Sequence, residues 1–274
     1  MKKNFKNLKL IDLLERFNLL FHKIKGVKLT NFQIIFSSYA VIFSIFLLLS
    51  LPGLFNYEKY VQEIKNKILL DYKIHLENIT DVKYRFIPSP HILIGKADLK
   101  ISKNSEKNLA NLENIKLFIS LLEIYKNKKI KTKKIIFNKA NFYIRNNDFI
   151  LFNDHLNSKI IKPIQITNSN FFYVNNNDDV ATISRIDKFN YFIDFTNKEK
   201  ELRLKGKIFD VNYNFNWKKN YNIPNKTQTK INFTNPNIDF ENQILKNLNQ
   251  DKFIGISKVN FLNNKFDLNY KIGE

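Results

Sequence analysis

From Phe32 to Leu51 the chain reads FQIIFSSYAVIFSIFLLLSL, twenty residues without a charge. A helix rises about 1.5 Å per residue, so this run is long enough to span the roughly 30 Å hydrocarbon layer of a bilayer. It is too long for the apolar part of a cleaved signal peptide, about thirty residues precede it, and no Ala-x-Ala-like site follows in SLPGLFNY. The run predicts a transmembrane helix over residues 31–51. Ahead of it stand Lys2, Lys3, Lys6, Lys9, Arg16, Lys23, Lys25 and Lys28, whereas the first twenty residues after it hold only Lys59, Lys65 and Lys67 among three acids. That asymmetry predicts a cytoplasmic N-terminus, with everything after Leu51 on the far side.

Residues 1–30 contain LKLIDLLERFNLLFHKI, which sets Leu10, Leu13 or Leu14, Phe17, Leu20, Phe21 and Ile24 near one helical stripe flanked by bases. Such a cytoplasmic helix lies on an anionic leaflet or packs on a partner, and the pattern fits both. After the span, Tyr57, Tyr60 or Val61, Ile64 and Ile68 recur at three-to-four spacing, which predicts a short amphipathic helix over 57–70.

From Tyr72 onward the period changes to two. The stretch VNYNFNWKKN, residues 211–220, puts Val211, Tyr213, Phe215 and Trp217 on one side of an extended chain and Asn212, Asn214 and Asn216 on the other. Short runs of this kind, separated by Asn, Asp, Lys and Gly, predict strands at 72–77, 81–87, 91–95, 97–103, 112–120, 129–138, 140–145, 148–152, 170–174, 189–196, 200–209 and 211–217. Further strands are expected at 229–234, 257–262 and 265–272, with helical turns at 121–127 and near 240–248. Sequential strands joined by short turns predict an antiparallel meander. Pro88 and Pro90 fix φ and lack an N–H, so they end one strand and turn the chain before the next. Gly206, within LRLKGKIFD, marks a bend or bulge.

The net charge is +20, from 45 Lys and Arg against 25 Asp and Glu. The bases are nearly all lysines, scattered, and accompanied by heavy Asn and Ile usage, as A/T-rich codons produce. No clustered stripe or arginine fork points to nucleic acid, and none is expected as a partner. The chain has no cysteine, which excludes disulfides, thiolate metal sites and cysteine nucleophiles. His22, His75, His91 and His155 lack zinc-type spacing, and no G-x-S-x-G, P-loop or G-x-G-x-x-G is present. No enzyme activity, metal or cofactor is expected.

The segment RFIPSPHILIGKADLKI, residues 85–101, combines a strand, a Pro-Ser-Pro break and two alternating strands, and it resembles the N-terminal signature of the AsmA-like family. The likeness continues through LANLENIKLFISLLEIYKNKKIKTKKIIFNKANFYI, residues 109–144, and into ITNSNFFYVNNNDDVATISRIDKFNYFIDF and LRLKGKIFDVNYNF, residues 166–195 and 202–215. With the anchor it covers roughly residues 32–217, and the order of the pieces carries it. The resemblance implies a mainly β fold: an N-terminal transmembrane helix, then a long curved antiparallel sheet with few short helices, forming an open apolar groove in the periplasm of a bacterium and anchored in its inner membrane. The expected divisions are a cytoplasmic segment 1–30, the span 31–51, an N-terminal β region 52–150 and a β-groove repeat region 151–274.

It further implies a carrier that conducts phospholipid acyl chains and supports outer-membrane biogenesis. The alternative is a structural or assembly factor acting on protein targeting to the membrane, with further copies or other envelope proteins as partners. A closed β-sandwich with an ordinary core is a third reading of the same alternation. In the groove reading, alternation assigns the lining to Ile92, Ile94, Leu99, Ile101, Ile115, Leu117, Ile119, Phe171, Tyr173, Tyr191, Ile193, Phe195, Leu202, Leu204, Val211, Tyr213, Phe215 and Trp217. Twelve or so strands would extend on the order of 60 Å.

Overall fold

The structure is a computed structural model that describes residues 31–100, 107–127, 129–146, 148, 162–175, 177, 179–220, 226–247 and 252–273. The amphipathic segment expected within 1–30, Ile101, and nearly all of the strand expected at 148–152 lie outside these residues. The chain divides into two compact units between Leu49 and Ser50.

Helix α1, Asn31–Ser50, carries no charge and is long and apolar enough to cross a membrane. Phe36, Tyr39 and Phe43 are each at least 65% exposed along it, an arrangement suited to lipid rather than water. The Ser38 and Ser44 hydroxyls donate to the carbonyls of Ile35 and Ala40, both at 2.7 Å, so these polar groups are satisfied within the helix.

The second unit opens with tight helical turns at Leu51–Leu54 and Tyr57–Tyr60, followed by helix α2, Val61–Tyr72. Ile64 and Ile68 form its buried face, as the periodicity predicts, and Tyr72, which the alternation placed in a strand, ends the helix on that same face. The helix stops at Lys73, whose φ of 56° is left-handed and whose N–H donates to the Leu69 carbonyl at 2.9 Å.

Twelve strands follow: β1 (His75–Arg85), β2 (His91–Lys100), β3 (Asn108–Ile119), β4 (Thr132–Ile144), β5 (Ile164–Val174), β6 (Val180–Asp194), β7 (Glu199–Ile208), β8 (Val211–Asn220), β9 (Lys226–Thr234), β10 (Asn237–Asn247), β11 (Lys252–Phe261) and β12 (Asn264–Gly273). They make one curved sheet in sequence order, in which β1 and β12 do not meet. The sheet is therefore open, and the closed sandwich does not form. Pro88 and Pro90 fall in the turn between β1 and β2. Helix α3, Leu121–Asn127, interrupts the strands where expected.

Two expectations are corrected. The meander is not antiparallel throughout, because β4 and β5 pair in parallel, Ile135 with Ile164 and Ile144 with Tyr173. Parallel neighbours require the chain to return to the same end of the sheet between β4 and β5. Of the residues near 240–248 expected as a helix, 240–247 are strand: β10 runs to Asn247 and is paired with β9 on one side and β11 on the other. Its alternation of Phe240, Asn242 and Ile244 with Glu241, Gln243 and Leu245 fits that two-sided ladder.

A transverse line of irregularities crosses the first six strands. Buried positions run 92, 94 and then 97, 99 in β2, 110, 112 and then 115, 117, 119 in β3, and 135, 137 and then 140, 142, 144 in β4. Asn114 in β3, Lys139 in β4 and Asn168 in β5, where the parity changes, have φ of 50°, 59° and 49°. Asn78 and Asp81 in β1 have φ of 50° and 55°. The register places these sites side by side: Thr80 opposes Lys96, Lys96 opposes Glu113, Glu113 opposes Asn138, Asn138 opposes Thr167 and Thr167 opposes Lys188. In β6 an extra residue separates Ile186 from Lys188 relative to β7. An inserted residue bends a strand and exchanges its faces, so a matched row of insertions creases the sheet while keeping one face apolar on both sides of the crease. Four of the five left-handed residues are Asn or Asp, whose short polar side chains tolerate that conformation.

Candidate functional site

The cross-strand register aligns one apolar residue from each strand into a single row: Val82, Ile94, Ile115, Phe137, Ile166, Phe189, Leu204, Phe215, Ile231, Phe240, Val259 and Phe266. A second row runs beside it through Tyr84, Ile92, Leu117, Ile135, Ile164, Tyr191, Leu202 and Trp217, then turns polar at Thr229, Asn242 and Ser257 before Leu268. Directly opposed side chains on one face of a sheet lie about 5 Å apart, so the first row is a continuous apolar track.

The two ends of this track differ in access. Ile92, Ile94, Ile115, Leu117 and Ile135 are fully buried and form one core with Ile64, Ile68 and Tyr72 of α2. Leu202, Leu204 and Trp217 pack only partly against that core. Phe215, Ile231, Phe233, Phe240 and Val259 are half-buried, and Phe266 and Leu268 reach 61% exposure. The face is thus closed over β1 to β4, partly covered over β5 and β6, where Ile166 and Phe189 are half-buried, and opens progressively from β7 to β12.

Of the expected lining residues, Ile92, Ile94, Leu99, Ile115, Leu117, Ile119 and Tyr191 are buried core. Phe171, Tyr173, Ile193, Leu202, Leu204, Val211, Tyr213, Phe215 and Trp217 lie half-buried on the same face. Phe195 is in the turn after β6 and 68% exposed. The sequence reading did not extend the lining to Ile231, Phe233, Ile238, Phe240, Val259, Phe266 and Leu268. The alternation at 229–234 and 265–272 was its signal, and the helix expected near 240–248 hid the strand that joins them.

Two tyrosines span a strand to fasten this face. Tyr213 on β8 lies over Gly206 on β7, and its hydroxyl is 2.8 Å from the Ser184 hydroxyl on β6. A Cβ at Gly206 would come within 2.1 Å of the Arg185 carbonyl oxygen and 3.2 Å of the Tyr213 hydroxyl. On the far strands, Tyr270 crosses Gly255 and donates to Asn242 Oδ1 at 2.9 Å. A Cβ at Gly255 would lie 1.9 Å from its ring. The glycine in each rung makes room for an aromatic ring crossing to a polar anchor two strands away.

Charge is concentrated on the opposite face. There Arg203 grips the buried Glu201 through two hydrogen bonds of 2.8 Å, and Lys230 pairs with Glu241 at 3.1 Å. Hydrogen bonds from Gln243, Lys230 and Gln228 hold the Glu241 carboxyl at about 2. His91 is buried against the Phe118 ring, with Nδ1 2.7 Å from the Ser89 carbonyl. Burial holds its pKa below the ordinary histidine value, leaving a neutral, hydrogen-bonded side chain. Compared with known proteins, the chain matches no family model and no curated protein sequence.

Proposed function

We propose that this chain is a membrane-anchored, AsmA-like protein of the bacterial inner membrane that binds phospholipid acyl chains along the open part of its apolar face and lets them move along it, in support of outer-membrane biogenesis. The observation that carries this reading is the unbroken apolar row from Leu204 to Phe266, which stays accessible over six strands while most charges keep to the other face. The order of the sequence pieces and the single uncharged helix α1 add support. In this role the chain carries no catalytic step. The excess of bases before α1 sets the N-terminus in the cytoplasm and the sheet in the periplasm.

Photo-crosslinking side chains placed singly at 214, 215, 231 and 232 of the membrane-embedded protein test the reading. Lipid adducts are expected at 215 and 231, which share the apolar face, and not at 214 and 232, which point the other way. Capture of a second polypeptide at 215 and 231, without lipid, would replace the carrier with an assembly factor. Orientation is read by a reporter fused after Asn153, which is expected to be active only outside the cytoplasm.

A further inference from the structure

The open part of the apolar face, over β7 to β12, carries a polar island. The row beyond Leu202 and Trp217 reads Ile193, Lys200, Lys219, Thr227, Ile244, each directly opposite the next. Lys200 and Lys219 are thus cross-strand neighbours on the face that otherwise carries the acyl track, and both are half-buried. Among the described side chains of β5 to β12, they are the charged ones whose register positions fall on this face. Like charges directly opposed on a sheet repel each other. Burial, and then the neighbouring Lys219 charge, hold Lys200 below the ordinary lysine value.

Hydroxyl and amide groups adjoin the pair. Thr227 opposes Lys219, Thr229 opposes Trp217, and Asn242 lies beside Thr229. Asn242 Oδ1 accepts from Ser257 at 3.1 Å and from Tyr270 at 2.9 Å. On the other flank, Ile193 opposes Lys200. Two ammonium groups and two threonine hydroxyls set at the margin of an apolar track match an amphiphile whose anionic head is joined to a long hydrocarbon tail.

We infer that Lys200, Lys219, Thr227 and Thr229 form a headgroup site that binds the phosphate of a phospholipid while its acyl chain lies on the row from Leu204 to Phe266. The site rests on the acyl-carrier reading above and adds what that reading leaves open: where along the sheet a lipid is held by its head, and by which group.

The test uses the full-length protein in detergent and two photoactivatable probes with identical diazirine acyl chains, phosphatidylglycerol and the phosphate-free diacylglycerol. Adducts are mapped by mass spectrometry to peptides of β7 to β10. Wild type is expected to give about tenfold more adduct with phosphatidylglycerol, the discrimination that one charge-assisted contact supplies. The K200Q/K219Q variant is expected to lose that excess while still labelling with diacylglycerol, and K200R/K219R to retain it. Diacylglycerol labelling and a thermal midpoint no lower than that of wild type show that the glutamine variant is folded. Equal labelling of wild type by both probes, or an excess that survives K200Q/K219Q, overturns the headgroup site and leaves the carrier reading standing. Loss of the excess on adding millimolar inorganic phosphate supports the headgroup site, because the free ion then competes for the same group. Absence of labelling with either probe removes both readings together.

Discussion

At the scale of single residues, the two tyrosine rungs look alike, yet their glycines are constrained differently. At Gly206 the nearest obstacle to a Cβ is a backbone oxygen, that of Arg185 at 2.1 Å, which moves only if β6 moves. At Gly255 it is the ring of Tyr270, whose far end can rotate away from β11. Overpacking against backbone costs about 2–3 kcal/mol, whereas displacing one terminal ring costs mainly its contacts and a hydrogen bond, about 1 kcal/mol. In the full-length protein in detergent, Gly206→Ala is expected to lower the urea midpoint clearly more than Gly255→Ala. Tyr213→Phe, which removes the 2.8 Å contact with Ser184, is expected to fall with the milder of the two. Equal losses for both glycine variants would mean that the crossing rings, and not the backbone beneath them, set the tolerance of this face.

At the scale of elements, Asp71 ties α2 to the sheet. It accepts from Lys162 at 2.5 Å and from Thr132, and pairs with Lys67 at 3.2 Å, so one carboxylate joins the helix to the start of β4 and to the approach to β5. Burial pushes its pKa up, but the hydrogen bonds from Lys162, Thr132 and Lys67 outweigh this and leave it below the ordinary value. A carboxylate with a depressed folded pKa adds stability above the unfolded value, about 3.9, and loses it as pH falls through the lower folded one. Asp71→Asn is therefore expected to cost about 1–2 kcal/mol at pH 7, with thermal midpoints of variant and wild type converging as the pH falls below the ordinary carboxylate range. The hairpin between β7 and β8 offers a gain instead. Phe209 and Asp210 both have positive φ, 48° and 60°, in a two-residue loop of the kind that favours Asn-Gly. Phe209 is 77% exposed, so replacing the pair by Asn-Gly is expected to raise stability by about 1 kcal/mol in a urea titration. The line of bulges also explains what the sequence showed. Alternation breaks near 78–80, at 96 and at 139, which reads as six short strands, but each break is an inserted residue within a continuing strand. The apolar face was legible because period two survives on either side of each insertion. The parallel β4–β5 pair was not, because nothing local in Thr132–Ile144 or Ile164–Val174 encodes which neighbour returns from the same end.

At the scale of the whole sheet, one residue pattern produces two physical environments, and this is why alternation alone assigned Ile94 and Phe215 the same role. They occupy the same apolar row, six strands apart, yet Ile94 has no exposed surface and Phe215 is half-buried. The difference arises from what covers the row: α2 and neighbouring side chains complete a core over the early strands, whereas the later strands leave theirs open. A carboxylate introduced into a dry core loses its hydration and cannot be compensated, a cost of several kcal/mol, while one on an open face keeps contact with water. Ile94→Asp is therefore expected to abolish folding, seen as loss of a cooperative thermal transition and failure to purify as a single species. Phe215→Asp is expected to keep the transition within a few degrees of wild type but to remove bound phospholipid, measured by mass spectrometry of lipid extracted from the purified protein. If Phe215→Asp unfolds the sheet as Ile94→Asp does, and lipid is never recovered from wild type, the later strands are core as well and the acyl-carrier reading fails. If both variants fold and both retain lipid, the molecule holds its lipid somewhere other than this face.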